Sequence, residues 1–512
     1  MIDSLIGGNA VRGTAGTFVS TNPAQLAETV AEVSLASAAQ LVEACRVASA
    51  AQVAWAQTPA PVRGRVIAQI GRLVEANADV LADLIVREVG KPRAEALGEV
   101  QEIVDTCDFF LGEGRRLYGQ TVPSEMRDKQ LFTFRVPVGV AMIITAGNFP
   151  VAVPSWYLVP ALLCGNAVVW KPADYAAALG DALTKIFIAG GVPAGVLNTV
   201  HADGPTTFEG LTLALQEGVV QKVGFTGSSE VGAQIGALCG RFLQSPCLEL
   251  GGKNPLVVMP DADLDLAAVG ALFSGFGTAG QRCTSLGVAI VHEDVHDAFV
   301  SKFVSLVENA VIGEPSGDVL YGPMLSERFL SGFEKWLGEI QPHHEVRGST
   351  GVGRITADNP RAGFVGDPSA GAYAHPTVVL GVRADDALYR NETFGPLVPV
   401  MRFSTFDEAV GLANGHGYGL SSAIYTSSAQ DAFRFRSRVS AGMLSVNNST
   451  SGAEAHLPFG GNGKSGNGSR QSGIWVLDQF TRWQSMNWDY AGKLQKAQMD
   501  VEVSTADLSF RL

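Results

Sequence analysis

Short apolar runs, each followed by a stretch with helical spacing, recur through the middle of the chain, and this alternation limits the fold more than any other feature. Strand-like runs stand at residues 140–145, 167–171, 196–200 and 219–226. Such alternation predicts a parallel sheet covered on both faces, because each parallel connection crosses over through a helix. A second series opens at Asn254 with Pro255, Leu256, Val257 and Val258, passes through a helical stretch at residues 264–276 and resumes at 288–291, so a second α/β lobe is expected. Ahead of both, residues 24–118 set apolar side chains at helical spacing, as in Leu41, Val42, Ala44, Cys45 and Ala48, and predict a helical layer. Residues 339–377, rich in Gly, Pro, His and Asp, are expected to form a surface excursion. A chain of 512 residues, 46% of them apolar, is too long for one efficient core and predicts two or three lobes.

The net charge of −13 and the lack of any Lys/Arg cluster argue against a nucleic-acid surface. The opening MIDSLIGGNAVRGT has no basic patch leading into an apolar run, and no later segment reaches the length needed to span a bilayer. A cytoplasmic protein without a membrane partner is expected. The six cysteines form no CxxC pair and no dense framework, so neither a metal site nor a disulfide scaffold is indicated. The N-x-S/T triplets at Asn447, Asn448 and Asn467 are read as chance.

Four segments carry chemistry. Cys283, in Gly280-Gln281-Arg282-Cys283-Thr284, follows a long helical run and sits in a small-residue turn open to a substrate. Arg282 beside it would favour the thiolate. A buried structural thiol is the competing reading, and the one preferred for Cys45, Cys164 and Cys239. Glu249, in Leu248-Glu249-Leu250-Gly251-Gly252-Lys253, has apolar neighbours that strip its hydration and raise its pKa toward that of a base near neutrality; an ion pair with Lys253 is the alternative. Asn148 ends the run Ile144-Thr145-Ala146-Gly147-Asn148 as either an oxyanion donor or a turn former. The stretch Phe225-Thr226-Gly227-Ser228 through Val231 and Gly232 is a strand, a glycine turn and a helix start, which offers N–H groups to a phosphate without matching the G-x-G-x-x-G spacing.

Together these segments resemble the aldehyde dehydrogenase superfamily over nearly the whole chain. The family sets its catalytic Cys and Glu 34 positions apart, and 283 − 249 = 34 here. The resemblance implies an NAD(P)-dependent oxidation of an aldehyde to a carboxylic acid through a thiohemiacetal and thioester. Cys283 would be the nucleophile, Glu249 the base, and Asn148 with the Cys283 N–H the oxyanion hole. NAD, with NADP as the alternative, would lie along Thr145, Ala146, Lys171, Asp174, Phe225, Thr226, Gly227, Ser228, Val231, Leu250, Glu392 and Phe394, and Pro458-Phe459-Gly460-Gly461 matches the C-terminal signature. Two positions depart from common members: Gly147, where a bulkier residue is usual, and Asp174, where Glu is usual.

Within the superfamily the chain is most similar to the family 7, aminoadipate-semialdehyde (antiquitin-like) branch, through residues 98–102, 277–283 and 450–454. That likeness implies that Glu102 meets a substrate ammonium and Arg282 a carboxylate, with Phe149, Trp156, Thr284, Gly452 and Ala453 completing the pocket. The competing reading is an apolar tunnel for simple aliphatic or aromatic aldehydes. The implied fold is α/β: a Rossmann-like cofactor domain (residues 1–118 and 138–252), an α/β catalytic domain (253–463), and a small β oligomerisation element (119–137 and 464–512) that would make a homodimer or homotetramer.

Three rival classes are weighed. Gly460 to Ser465 ends like a phosphate-binding P-loop, but Pro458 stands where that motif needs Gly. An acylating dehydrogenase would have no use for a water-activating Glu249. A non-catalytic binding protein would be expected to have lost one of Cys283, Glu249 and Asn148.

Overall fold

The computed structural model describes residues 1–501 and 504–512. Five parallel strands form the heart of the first sheet, in the spatial order Cys247–Glu249, Lys222–Thr226, Val140–Ile144, Ala167–Lys171 and Leu197–Thr199. Ser4–Ile6 and Asn9–Val11 add an antiparallel edge. Alternate residues of the central strand serve opposite faces: Val140, Met142 and Ile144 enter one apolar cluster, Ala141 and Ile143 another. That is the expected result of a two-residue side-chain period in a strand buried on both faces. The chain leaves Val140–Ile144 toward one edge of the sheet and later returns to lay Lys222–Thr226 on the other side of it. A crevice therefore opens beyond the carboxyl ends of these two strands, where doubly wound sheets receive ligands.

The second sheet runs Glu345–Arg347, Thr377–Leu380, Leu397–Phe403, Leu286–His292, Asn254–Val258, Ser421–Tyr425, Met443–Val446, parallel except for its first strand. It turns the amino ends of Asn254–Val258 and Leu286–His292 toward the seam, so Gly252 and Cys283 stand just ahead of its strands. The two lobes thus meet with carboxyl ends on one side and amino ends on the other.

Residues 24–118 are not helical throughout. Thr17–Asn22 and Gln25–Ser34 pair as an antiparallel hairpin, and helices begin at Ala38, behind a capping box formed by Ser37 and Gln40. The excursion at 339–377 contributes the edge strand Glu345–Arg347 and the short strand Phe364–Val365. A third sheet joins Thr121–Val122, Lys129–Pro137 and Thr481–Asp489, with nine register pairs from Thr481↔Pro137 to Asp489↔Lys129. Residues 465–480 do not join it. Gly466 bridges to Glu249, Ser465 O accepts from Leu250 N at 3.0 Å, and Phe480 packs in the first lobe's core.

Candidate active site

The helix Leu264–Phe276 ends in three successive left-handed residues, Thr278 (φ 51°), Ala279 (φ 53°) and Gly280 (φ 69°). For the two that carry a Cβ this conformation costs about 1–2 kcal/mol each. Glu95 offsets the cost: it accepts from Thr278 N at 3.2 Å and from the Thr278 hydroxyl, and pairs with Arg282 Nη2 at 2.6 Å. Burial pulls Glu95 upward, but the Arg282 guanidinium beside it holds its carboxyl below the usual range.

Beyond the kink, five consecutive carbonyls find donors from outside the loop or across it. Gln281 O accepts from Asn148 Nδ2 at 2.9 Å, Arg282 O from Ser285 N at 3.0 Å, and Thr284 O from Thr450 Oγ1 at 2.8 Å. Asn254 Nδ2 donates to both Cys283 O (2.8 Å) and Ser285 O (2.7 Å). With the carbonyls tied back, the N–H groups of Cys283 and Thr284 face the sulfur and favour its thiolate. Burial, and then the carboxylates of Glu249 and Glu392, outweigh them and push the Cys283 thiol well above its ordinary range.

The Arg282 guanidinium lies over the Phe273 ring at 4.6 Å and is engaged by Glu95 and the Thr278 hydroxyl. Asn148 is buried and spends one amide N–H on Gln281, leaving the second for the chamber it lines. Glu249 is 1% exposed and neither oxygen meets a hydrogen-bond donor; burial raises its pKa far above the carboxylate range, with the charge of Arg470 opposing.

Cys283 and Asn148 line a chamber of about 470 Å³ that Glu392 and Phe394 also bound. A groove of about 280 Å³ adjoins it, walled by Lys171, Asp174, Phe225 and Val231. All twelve residues assigned to the cofactor from sequence line one space or the other. The groove's architecture depends on missing side chains. A Cβ on Gly232 would lie 2.3 Å from Leu250 Cδ2, and one on Gly251 2.0 Å from Glu392 Oε2. Ser228 Oγ caps the helix Ser229–Arg241 by accepting from Val231 N at 3.3 Å. Burial lowers the Lys171 ammonium, with Asp174 and Asp203 opposing. Glu392 accepts from Gly252 N at 3.1 Å; burial raises it to about 7, with Lys253 opposing.

These residues fit a dinucleotide: oxygen acceptors for ribose hydroxyls at both ends, and a helix start with a glycine turn between them. The glycine at 147 is also explained. A Cβ there would lie 2.6 Å from the Tyr175 ring, and Gly147 N donates to the Tyr175 hydroxyl at 3.2 Å.

The remaining residues expected at the substrate line neither the chamber nor the groove. Trp156 is buried against Phe459, ring centroids 4.5 Å apart. The Lys91 ammonium stands 3.4 Å from the Phe149 ring centroid and pairs with buried Glu99. The Thr284 hydroxyl is 3.4 Å from that of Ser451, and Gly452 has φ 133°. Glu102 lies in a separate cleft of about 420 Å³ together with Asp105, Asp108, Ala453 and Glu454. Its Oε1 has no partner, and burial, reinforced by Glu99, raises its carboxyl to about 8. Ala453, Phe149 and Cys283 each pack against the large apolar core of the first lobe, to which Trp156 belongs.

Glu95, Tyr175, Asn254 and Arg328 help to build or line the site without having been signalled by sequence.

The chain matches the aldehyde dehydrogenase family over residues 11–486. It is 38% identical to an alpha-ketoglutarate semialdehyde dehydrogenase of Haloferax volcanii over 472 residues, 91% of this chain and 95% of that one. It is 35% identical to an alpha-aminoadipic semialdehyde dehydrogenase of Bos taurus over 496 residues, 96% of this chain and 89% of that one. The crystal structure of betaine aldehyde dehydrogenase from Staphylococcus aureus in complex with NAD+ superposes with a TM-score of 0.90 at 26% identity, covering 96% of each chain.

Proposed function

The chain belongs to the aldehyde dehydrogenase family and is an NAD(P)-dependent aldehyde dehydrogenase, and from that premise we propose how its residues divide the work and which aldehyde they select. Once the Cys283 thiol has given its proton to water, the thiolate attacks the aldehyde carbon, forming a C–S bond while the carbonyl π pair moves onto oxygen as a negative charge. The free Asn148 amide N–H and the Cys283 N–H receive that oxyanion, in a buried chamber where such bonds are strongest. Lys171 and Asp174 would hold one ribose of the dinucleotide, the Gly227–Ser228 turn its phosphates and Glu392 the other ribose. A dinucleotide held there would supply a hydride acceptor for the carbon attached to sulfur. Glu249 then takes a proton from water as the water attacks the thioester, and the acid leaves. The pinned carbonyls of residues 281–285 are the observation that carries this reading, since they turn the loop's donors toward the reacting centre.

The substrate is a semialdehyde, in keeping with both named relatives. We assign it an ammonium at the far end: the partnerless Glu102 oxygen can accept from it, and the arriving cation would ionise a carboxyl that burial keeps protonated in the free protein, while Arg282 is already paired. Aminoadipate semialdehyde is therefore expected to exceed both hexanal and alpha-ketoglutarate semialdehyde in kcat/KM, by about tenfold or more for one charge-assisted contact. Equal rates with hexanal, or no loss of semialdehyde oxidation in Glu102→Ala, would remove Glu102 from the substrate. NAD is the preferred form, since Asp174 accepts from ribose hydroxyls and repels a 2′-phosphate.

The small sheet exposes Trp483, Met486 and Trp488 and suits a homodimer or homotetramer contact. No helix among the described residues is long and apolar enough to cross a membrane, and a cytoplasmic setting is proposed.

A further inference from the structure

Where the groove and the Cys283 chamber adjoin, five residues line both: Ala146, Tyr175, Thr226, Gly227 and Arg328. The first four stand at or just beyond the carboxyl ends of strands of the first sheet. Arg328 alone comes from the second lobe, on the helix Glu327–Leu337. Its guanidinium lies over the rings of Tyr175 (5.8 Å) and Phe329 (5.2 Å). It forms no ion pair among the described residues, whereas the adjacent Glu327 is taken by Arg354. Its charge reaches Lys171, where it adds to the lowering caused by burial. The junction thus holds a cation without a counter-ion, beside a capped helix start.

Tyr175 supplies a second donor. Its hydroxyl oxygen accepts from Gly147 N, which leaves its own proton to be given away, and burial keeps the phenol protonated by raising it to about 12. The ring fills the space a side chain at 147 would need, so the residue usual at that position is replaced here by a tyrosine with an arginine stacked on it. A dinucleotide with one ribose beside Asp174 and the other beside Glu392 must carry its phosphates across this junction.

We propose that Arg328, with the Tyr175 hydroxyl beside it, grips the diphosphate bridge of the dinucleotide and so ties the second lobe to the cofactor. The proposal rests on the cofactor groove assigned above. Titrations followed by energy transfer from tryptophan to NADH, with ADP-ribose and adenosine as competitors, test it in wild type, Arg328→Ala and Arg328→Lys. The alanine variant is expected to bind NADH, NADPH and ADP-ribose about tenfold or more weakly, adenosine as before, with an unchanged melting temperature. Lysine should restore part of the loss, and the salt dependence of NADH binding should be shallower in the alanine variant. Unchanged ADP-ribose affinity in Arg328→Ala would overturn the proposal. So would a loss confined to NADPH, which would put Arg328 on a 2′-phosphate. Failure of the wild type to bind NADH would instead overturn the groove itself.

Discussion

At Glu249, burial without a partner sets the proton affinity, and at Cys283 the nearby carboxylates add to it. Removing the Glu249 charge has two separable effects. Glu249→Gln should slow the steady state by about a hundredfold or more through loss of the base. It should leave the pre-steady-state burst of NADH and move its onset to lower pH, since the carboxylate that raises the thiol is gone. Stopped-flow absorbance over a pH series reads both, and a burst that vanishes together with the steady state would mean that Glu249 also deprotonates Cys283. The roles of single residues were unevenly legible in sequence. The spacing of Cys283 and Glu249 is legible in the sequence, and Lys171 and Asp174, expected at the cofactor, line one groove. The pairing of Arg282 with Glu95, 187 positions away, is not legible, since no local pattern announces a contact that closes only when the helix Arg93–Glu113 packs.

Among the elements, the helix Ser229–Arg241 depends on the bare backbone of Gly232 to lie close to Leu250. Gly232→Val would force the helix start away from the cofactor groove. Overpacking of this kind costs about 1–3 kcal/mol, so a lower melting temperature should accompany weaker NADH binding, read by calorimetry and by titration. A variant that binds NADH as the wild type does would show that the helix position is not what forms the groove. The parallel strands were readable because runs such as Val140–Ile144 are apolar on both faces. The hairpin strand Gln25–Ser34 was not: Leu26, Val30, Ala31 and Val33 satisfy helical spacing nearly as well as alternation, and pairing with Thr17–Asn22 decides between them. Likewise, residues 465–480 carry no signal of the first lobe except through Gly466, whose bridge to Glu249 is a long-range event.

Across the whole molecule, buried carboxyls are numerous: Glu88 and Glu392 rise to about 7 and Glu102 to about 8, in each case through burial. Such a group holds its proton more tightly folded than unfolded. Its contribution is therefore complete below the ordinary carboxylate pKa and is lost as pH climbs toward the folded value, by at most about 1.4 kcal/mol per pH unit. Glu102→Gln removes one such loss, so the melting temperature of the variant relative to wild type should rise between pH 5 and pH 8.5. A difference that stays flat or falls would mean that Glu102 is ionised in the folded protein.

The loop around Cys283 is fastened by Asn148, Asn254 and Thr450, and Leu325 N donates to Gln281 Oε1 at 3.0 Å. These anchors are spread over three hundred positions of chain. During synthesis, then, the thiol leaves the ribosome long before its last fastening exists. Until Thr450 has emerged and docked, the segment is an ordinary cysteine peptide with an unorganised backbone, and the donors that would receive an oxyanion are arranged around the sulfur only when nearly all of the polypeptide has been made.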